Sequence, residues 1–171
     1  MAYTIRLAKK EDAKQIVLIK NRCRKDWYKW LVDQKYLDSL ELTEERIEKV
    51  CKRIKEDMVF IVYEEGNEIK GLLYGGEKCN PPSPALYEIY GLYVDIPYQR
   101  LWIGKKLFNL FYQTINKQPF YVRTSPKSQG EKFYRKYWGI SFWVRFEELE
   151  GKPYKEIWYT FNENNSLKFS L

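Results

Sequence analysis

Apolar residues in this chain recur with a period of two in some stretches and at helical spacing in others, and the changes between them mark most of the elements. Residues 3 to 8, "YTIRLA", alternate as a first strand, and Asp12 stands at the N-cap position before the helical run "AKQIVLIKNRC". A short aromatic stretch, "DWYKWLVDQKYLDSL", follows. Thr43 then caps a second helix whose Ile47, Val50, Cys51 and Ile54 share one face, which makes Cys51 a core residue. Two strands, "MVFIVY" and "IKGLLYGG", flank "EEGNE", where Gly66-Asn67 suits a hairpin turn. After the proline-rich loop "EKCNPPSPA", the run from Tyr87 to Val94 reads as a buried strand. Ile103, Leu107, Leu110 and Phe111 then repeat as one face of a helix.

The remainder supplies a strand "FYVRT", a helix around "QGEKFYRKY" and two closing strands, "SFWVRFEE" and "YKEIWYTF", joined through "LEGKP" as a hairpin. Ser128 and Glu131 have capping-box spacing, and Gly139 marks the C-terminal stop of that last helix. The order is strand, two helices, three strands, helix, strand, helix, two strands. It predicts one α/β (α+β) domain over residues 1–171, with a core from about 3 to 161 and a polar tail over 162–171. The expected sheet is mixed and mostly antiparallel, with about seven strands and about four flanking helices.

Composition narrows the chemistry. The chain has 171 residues, no histidine and three cysteines, Cys23, Cys51 and Cys79, without paired spacing, so neither a structural metal nor a histidine-based triad is expected. Cys79 lacks a histidine to activate it and is expected to be inert. No stretch approaches the roughly 18 uncharged apolar residues of a membrane span, and the first residues lack a signal peptide's apolar run, so a cytoplasmic protein with no membrane partner is expected. The formal net charge of +7 favours a polyanionic partner. Nucleic acid is not favoured, because the basic residues are scattered among acidic ones and form no tail or finger spacing.

The joint between Val94 and Ile103, "DIPYQRLW", leads from strand to helix and leaves the first helical N–H groups over the strand's end, a ready anion site. A Walker loop needs a glycine where Gln99 stands, and a dinucleotide fingerprint needs three glycines where only Gly104 is present. The element order, the opening "IRLAKKEDAKQI", the run "LYVDIPYQRLWIGKKL" and the later "FYRKYWG" together resemble the GNAT superfamily of acetyl-CoA-dependent N-acetyltransferases over roughly residues 3 to 161. That family carries Gln/Arg-x-x-Gly-x-Gly/Ala at this joint, where backbone amides hold the pyrophosphate of coenzyme A. Gln99 and Gly104 match; Trp102 replaces the first glycine and Leu101 a common basic residue. The resemblance implies a cofactor loop of Gln99, Arg100, Leu101, Trp102, Ile103, Gly104 and Lys105. Arg100, Lys105 and Lys106 could offset, as cations, the bulk that tryptophan adds.

The implied reaction moves an acetyl group from acetyl-CoA, as co-substrate, to a primary amine in a ternary complex. By resemblance Glu88 is the base, or else an edge or substrate-orienting carboxylate, or a surface partner for a nearby lysine. The resemblance also implies a bulge at Leu92, Tyr93 and Val94 that frees an amide for the thioester oxygen, and it implies Tyr134 in the general acid's place. Gly139 comes one residue late, however, and Lys127 replaces a cofactor-contacting asparagine. Trp27, Tyr28, Trp30 and Tyr36 could wall an acceptor groove, and Glu147, Glu148 and Glu150 could attract a cationic amine. For both sets core packing or a solvated face is the plainer expectation. A non-catalytic acyl-CoA-binding or interaction module and a basic nucleic-acid-associated protein are the alternatives. The partners expected are acetyl-CoA and an amine, in a monomer or homodimer.

Overall fold

The computed structural model describes residues 2–56, 59–77, 85–137 and 139–162. Cys79 with most of its proline-rich loop, Met58, and the polar tail from residue 163 lie outside the described residues.

Seven strands, β1 (Tyr3–Leu7), β2 (Val59–Glu65), β3 (Glu68–Glu77), β4 (Tyr87–Val94), β5 (Phe120–Thr124), β6 (Ile140–Leu149) and β7 (Lys152–Phe161), form one sheet in the order β1-β2-β3-β4-β5-β7-β6. Only β4 and β5 run parallel, so the sheet is mixed and mostly antiparallel as the pattern implied. Helices α1 (Ala13–Tyr28) and α3 (Glu44–Lys55) cover one face; α4 (Ile103–Thr114) and α5 (Gln129–Lys136) cover the other. The short helix α2 (Gln34–Asp38) was missed within the aromatic stretch, because five residues are too few to show a period. It is held by Val32, Leu37 and Leu40, against which Tyr28, Tyr36 and Leu149 pack.

Each core follows its helix stripe. Ile103, Leu107 and Phe111 of α4 are buried with Phe108 against Ile61, Leu73, Ile89, Phe120, Val122 and Phe161. On the opposite face Ile16, Val17, Ile19 and Val50 meet Phe60, Val62, Leu72 and Tyr74, with Cys51 partly buried beside them. Burying a side chain of this size contributes about 1.5–3 kcal/mol, so these two stripes account for most of what holds the helices to the sheet.

Local chemistry sets the turns. Gly66 and Asn67 have φ of 60° and 62°, and Glu150 and Gly151 have 52° and 74°; both hairpins therefore turn through two residues in the left-handed region, which matches the twist of the flanking strands. Asp12 does not cap α1 through its side chain. It ends a 3-10 turn (Lys10–Asp12), where its carboxylate accepts the Lys9 N–H at 2.7 Å and pairs with Arg6 at 2.7 Å. Gly139 follows α5 without a positive φ. A Cβ there would stand 2.7 Å from Phe161 Cζ, so close packing rather than backbone freedom requires the glycine.

Candidate active site

Between β4 and β5 the sheet opens. The parallel pairing covers only Tyr87–Ile89 against Phe120–Val122, and beyond Ile89 the strand runs on without β5 beside it. On the other edge Tyr74 pairs with Gly91 and Gly75 with Ile89, so Tyr90 is an extra residue, a bulge. The bulge lies just before Leu92, Tyr93 and Val94. It turns Leu92 and Val94 toward the α4 face while Tyr93 packs on the α1 face.

At the end of β4 the chain is fastened to α1. Asp95 takes a bidentate pair from Arg22 at 2.9 and 2.8 Å and caps the following 3-10 turn (Ile96–Tyr98) by accepting the Ile96 N–H at 3.0 Å. Gln99 Nε2 donates to the Val94 carbonyl at 3.1 Å, and Cys23 Sγ lies 3.3 Å from the same oxygen. The joint then reverses through Arg100, φ 67°, and Trp102, φ 65° and ψ 0°. Trp102 occupies the helix N-cap position of α4 without a capping side chain, whereas Thr43 and Ser128 cap α3 and α5 through their hydroxyls. Successive residues that alternate with left-handed ones turn their N–H groups to one side, and an uncapped helix start adds its positive dipole end to that concavity.

This start opens on a cleft of about 460 Å³. Of the ten cofactor positions read from the sequence, Leu92, Val94, Gln99, Arg100, Trp102, Gly104 and Lys105 line it. Ile103 is instead core beneath the helix, Tyr93 lies in the other core, and Leu101 is exposed outside the cleft. Trp102 is 59% exposed, so it is not a core residue; its ring lies 5.7 Å from Lys105 Nζ and 5.2 Å from Lys136 Nζ.

Among the described residues the lining includes four cations, Arg100, Lys105, Lys132 and Lys136, and no carboxylate. Two of them are not among the residues the sequence singles out: Lys132 and Lys136 stand four apart on α5, about one turn, with Tyr134 between them. Lys106 turns the other way, its Nζ 3.6 Å from the centroid of Tyr3. The one acid of α5, Glu131, also faces away, accepting the Tyr159 hydroxyl at 3.2 Å and the Lys127 N–H at 2.5 Å. Lys127 takes a left-handed turn there, φ 60°, and is not part of the lining. A diphosphate joined to an apolar arm fits what is present, with amides and cations at the α4 end and Leu92, Phe133 and Tyr137 along the wall.

Tyr134 projects from α5 into the wall of this cleft and is buried; burial first, and then the nearby Tyr93, push its hydroxyl well above the ordinary tyrosine range. Trp27 of α1 is also in the wall, stacked on Tyr93 with centroids 5.3 Å apart. Glu88 stands on a central strand, 0% exposed, so neither an edge nor a surface position describes it. Its Oε1 accepts Arg123 Nε at 2.6 Å and its Oε2 the Tyr121 hydroxyl at 2.8 Å.

Of the acceptor-groove residues, Trp30 is 88% exposed, while Tyr28 and Tyr36 pack with α2. Glu147 is paired with Arg145 on β6, and Glu150 is in the β6–β7 turn. That hairpin reaches back across the molecule, with Lys152 Nζ 2.5 Å from Asp33.

A model of the acetyltransferase (GNAT) domain matches residues 33–138. No curated protein sequence matches the chain. Among solved structures it is similar to the PaiA N-acetyltransferase of Thermoplasma acidophilum in complex with coenzyme A, at 18% identity and a TM-score of 0.69 over 94% of this chain and 100% of that one. It is similar also to yncA of Salmonella typhimurium with its cofactor acetyl-CoA, at 16% identity and TM-score 0.66 over 95% and 94% of the two chains. The ribosomal-protein-alanine N-acetyltransferase of Brucella melitensis, at 16% identity and TM-score 0.67 over 93% and 99%, shares the same fold. With a domain model spanning more than half its length, the chain belongs to the GNAT acetyltransferase family.

Proposed function

We propose that this protein transfers the acetyl group of acetyl-CoA to a primary amine held beside β4. The observation that carries the reading is the α4 start, uncapped and built on two left-handed residues, opening into a cleft with four cations and no carboxylate. Acetyl-CoA supplies an activated acetyl group and a thiol leaving group. The amides from Arg100 to Lys105 hold the diphosphate, with Arg100, Lys105, Lys132 and Lys136 balancing its charge. The opening beside β4 leaves, within Leu92–Val94, the backbone N–H that points away from β3 for the thioester oxygen, where a donor is worth most as negative charge gathers.

Tyr134 is the acid in this reading. A hydroxyl whose titration is raised by burial stays protonated at neutral pH and so holds the proton that the departing sulfur needs. Glu88 takes the orienting role of the two read from the sequence. A direct base must come within about 3.2 Å of the amine, whereas both Glu88 oxygens are engaged and the side chain has no exposed surface. It fixes Arg123 and Tyr121 beside the opened strand.

Thiol release from acetyl-CoA over a panel of primary amines tests the proposal. Amine-dependent release at a rate that saturates with acetyl-CoA supports it. Binding of CoA without release for any amine would leave the non-catalytic binder as the better reading.

A further inference from the structure

Helix α1 turns Ile16, Lys20, Arg24 and Trp27 toward the sheet, the i, i+4, i+8, i+11 stripe that a packed helix reserves for apolar side chains. Two of the four are cations. Lys20 is 8% exposed, with its Nζ 4.8 Å from the ring centroid of Tyr74 and 5.9 Å from that of Tyr93. Arg24, partly buried, lies beside the Tyr93 hydroxyl. Arg46 and Arg53 of α3 add positive charge around Lys20, and Arg53 Nη1 lies 3.3 Å from the Tyr74 hydroxyl. Burial, with these three arginines, brings Lys20 down to about 7.

Elsewhere the chain pairs its sheltered cations. Arg6 and Arg123, partly buried, each hold a carboxylate at 2.6 to 2.7 Å, and buried Lys70 pairs with Glu68. Among the described residues no carboxylate pairs with Lys20 or Arg24. The next residue of the stripe adds a third donor: Trp27 Nε1–H is buried and has no hydrogen-bond partner. Buried donors are normally satisfied, so a helix face on which the indole N–H has no partner, and on which a lysine and an arginine face no carboxylate, lacks a charged acceptor. This face adjoins the cleft, since Trp27 is in the cleft wall and Tyr93, which lies near Tyr134, stacks on it.

We infer that Lys20, Arg24 and Trp27 Nε1 receive an anionic group, a carboxylate or phosphate, carried by the amine acceptor. The acceptor class is then a small amine that bears an anion, rather than a polyamine drawn to the glutamates of the β6–β7 hairpin. This inference rests on the acetyl-transfer reading above and names its second substrate. No bond is made to these three residues; they bind and orient.

The test compares matched acceptors: 4-aminobutyrate against n-butylamine for a carboxylate, O-phosphoethanolamine against ethanolamine for a phosphate, and putrescine for a second amine. Wild-type protein should prefer the anionic member of at least one pair by about 10-fold or more in kcat/KM, the size expected for a buried charged contact. Which pair shows it separates carboxylate from phosphate. Arg24→Met and Trp27→Phe should each reduce that preference, and 4-aminobutyrate or O-phosphoethanolamine alone should raise the melting temperature of wild type but not of Arg24→Met. Lys20→Met supplies a readout that a structural lysine would not give: it removes an unpaired buried charge, so the melting temperature should hold or rise while the preference falls. A lower melting temperature in Lys20→Met with unchanged preference, or a wild-type preference for the uncharged amines or putrescine, would overturn the inference. Either result, with thiol release intact, leaves acetyl transfer standing; absence of release with every amine overturns both.

Discussion

Trp102 sits in a backbone conformation that favours glycine, and the cost can be worked out. At φ 65° and ψ 0° a side chain's Cβ crowds the backbone, at about 1–2 kcal/mol for a left-handed residue. Alanine at this position keeps that strain, and glycine removes it. Glycine also loosens the unfolded chain, which returns about 0.4–1 kcal/mol. Both substitutions lose the same ring contacts to Lys105 and Lys136, which are weak because the ring is 59% exposed. The difference between the two variants therefore isolates the backbone, and Trp102→Gly should be more stable than Trp102→Ala by about 0.5–1 kcal/mol. For a chain of this size that is a melting temperature higher by roughly 2 °C, readable also as a shift in urea midpoint at constant m. The sign is the informative part. At Glu48, exposed in the middle of α3, the same pair should order the other way by about 1 kcal/mol, as in any helix interior. If Trp102→Ala equals or exceeds Trp102→Gly, the left-handed backbone is wrong and the concavity that holds the diphosphate goes with it.

Three further outcomes are expected. Tyr134→Phe should lower kcat by about 10²-fold or more with CoA affinity nearly unchanged, measured by thiol release and by calorimetry; unchanged turnover would remove the hydroxyl from the reaction. Glu88→Ala leaves Arg123 and Tyr121 without their 2.6 and 2.8 Å partner and should cost about 3 kcal/mol in chemical denaturation, with Glu88→Gln costing clearly less. Between pH 7 and about 8.5 the fold should gain stability as pH rises, by up to about 1.4 kcal/mol per unit. The sign follows from Lys20, whose folded value of about 7 lies below 10.5, so the unfolded chain binds the extra proton across that window. Toward pH 8.5 Cys23, pushed up to about 12 by burial, opposes this gain because the unfolded thiol loses its proton first, and Lys20→Met should remove the rise just above pH 7.

The parts legible in the sequence were those with a local physical cause. The ends of β4 and the stripe of α4 follow from hydrophobic period, the two-residue turn at Gly66-Asn67 from the residues that tolerate positive φ, and the start of α5 from the Ser128 hydroxyl on Glu131 N–H. What could not be read depends on contacts between distant segments. The bulge at Tyr90 has no composition of its own, because any residue can be the extra one. Glu88 looked available because a lone glutamate on a strand gives no sign of Arg123 thirty-five positions later. Lys20 and Arg24 were passed over inside a run that reads as an ordinary amphipathic helix. Their place in the sheet-facing stripe could have been counted from Ile16, and a break of that kind in an otherwise consistent pattern is where function tends to lie.

The most direct measurement is of the backbone amides themselves. Titrating CoA into labelled protein and following amide resonances should move the N–H groups from Arg100 to Lys105 and those of Leu92, Tyr93 and Val94 together, saturably and with one affinity. If these resonances stay in place under excess CoA, or only those of some other surface move, the start of α4 is not the diphosphate site.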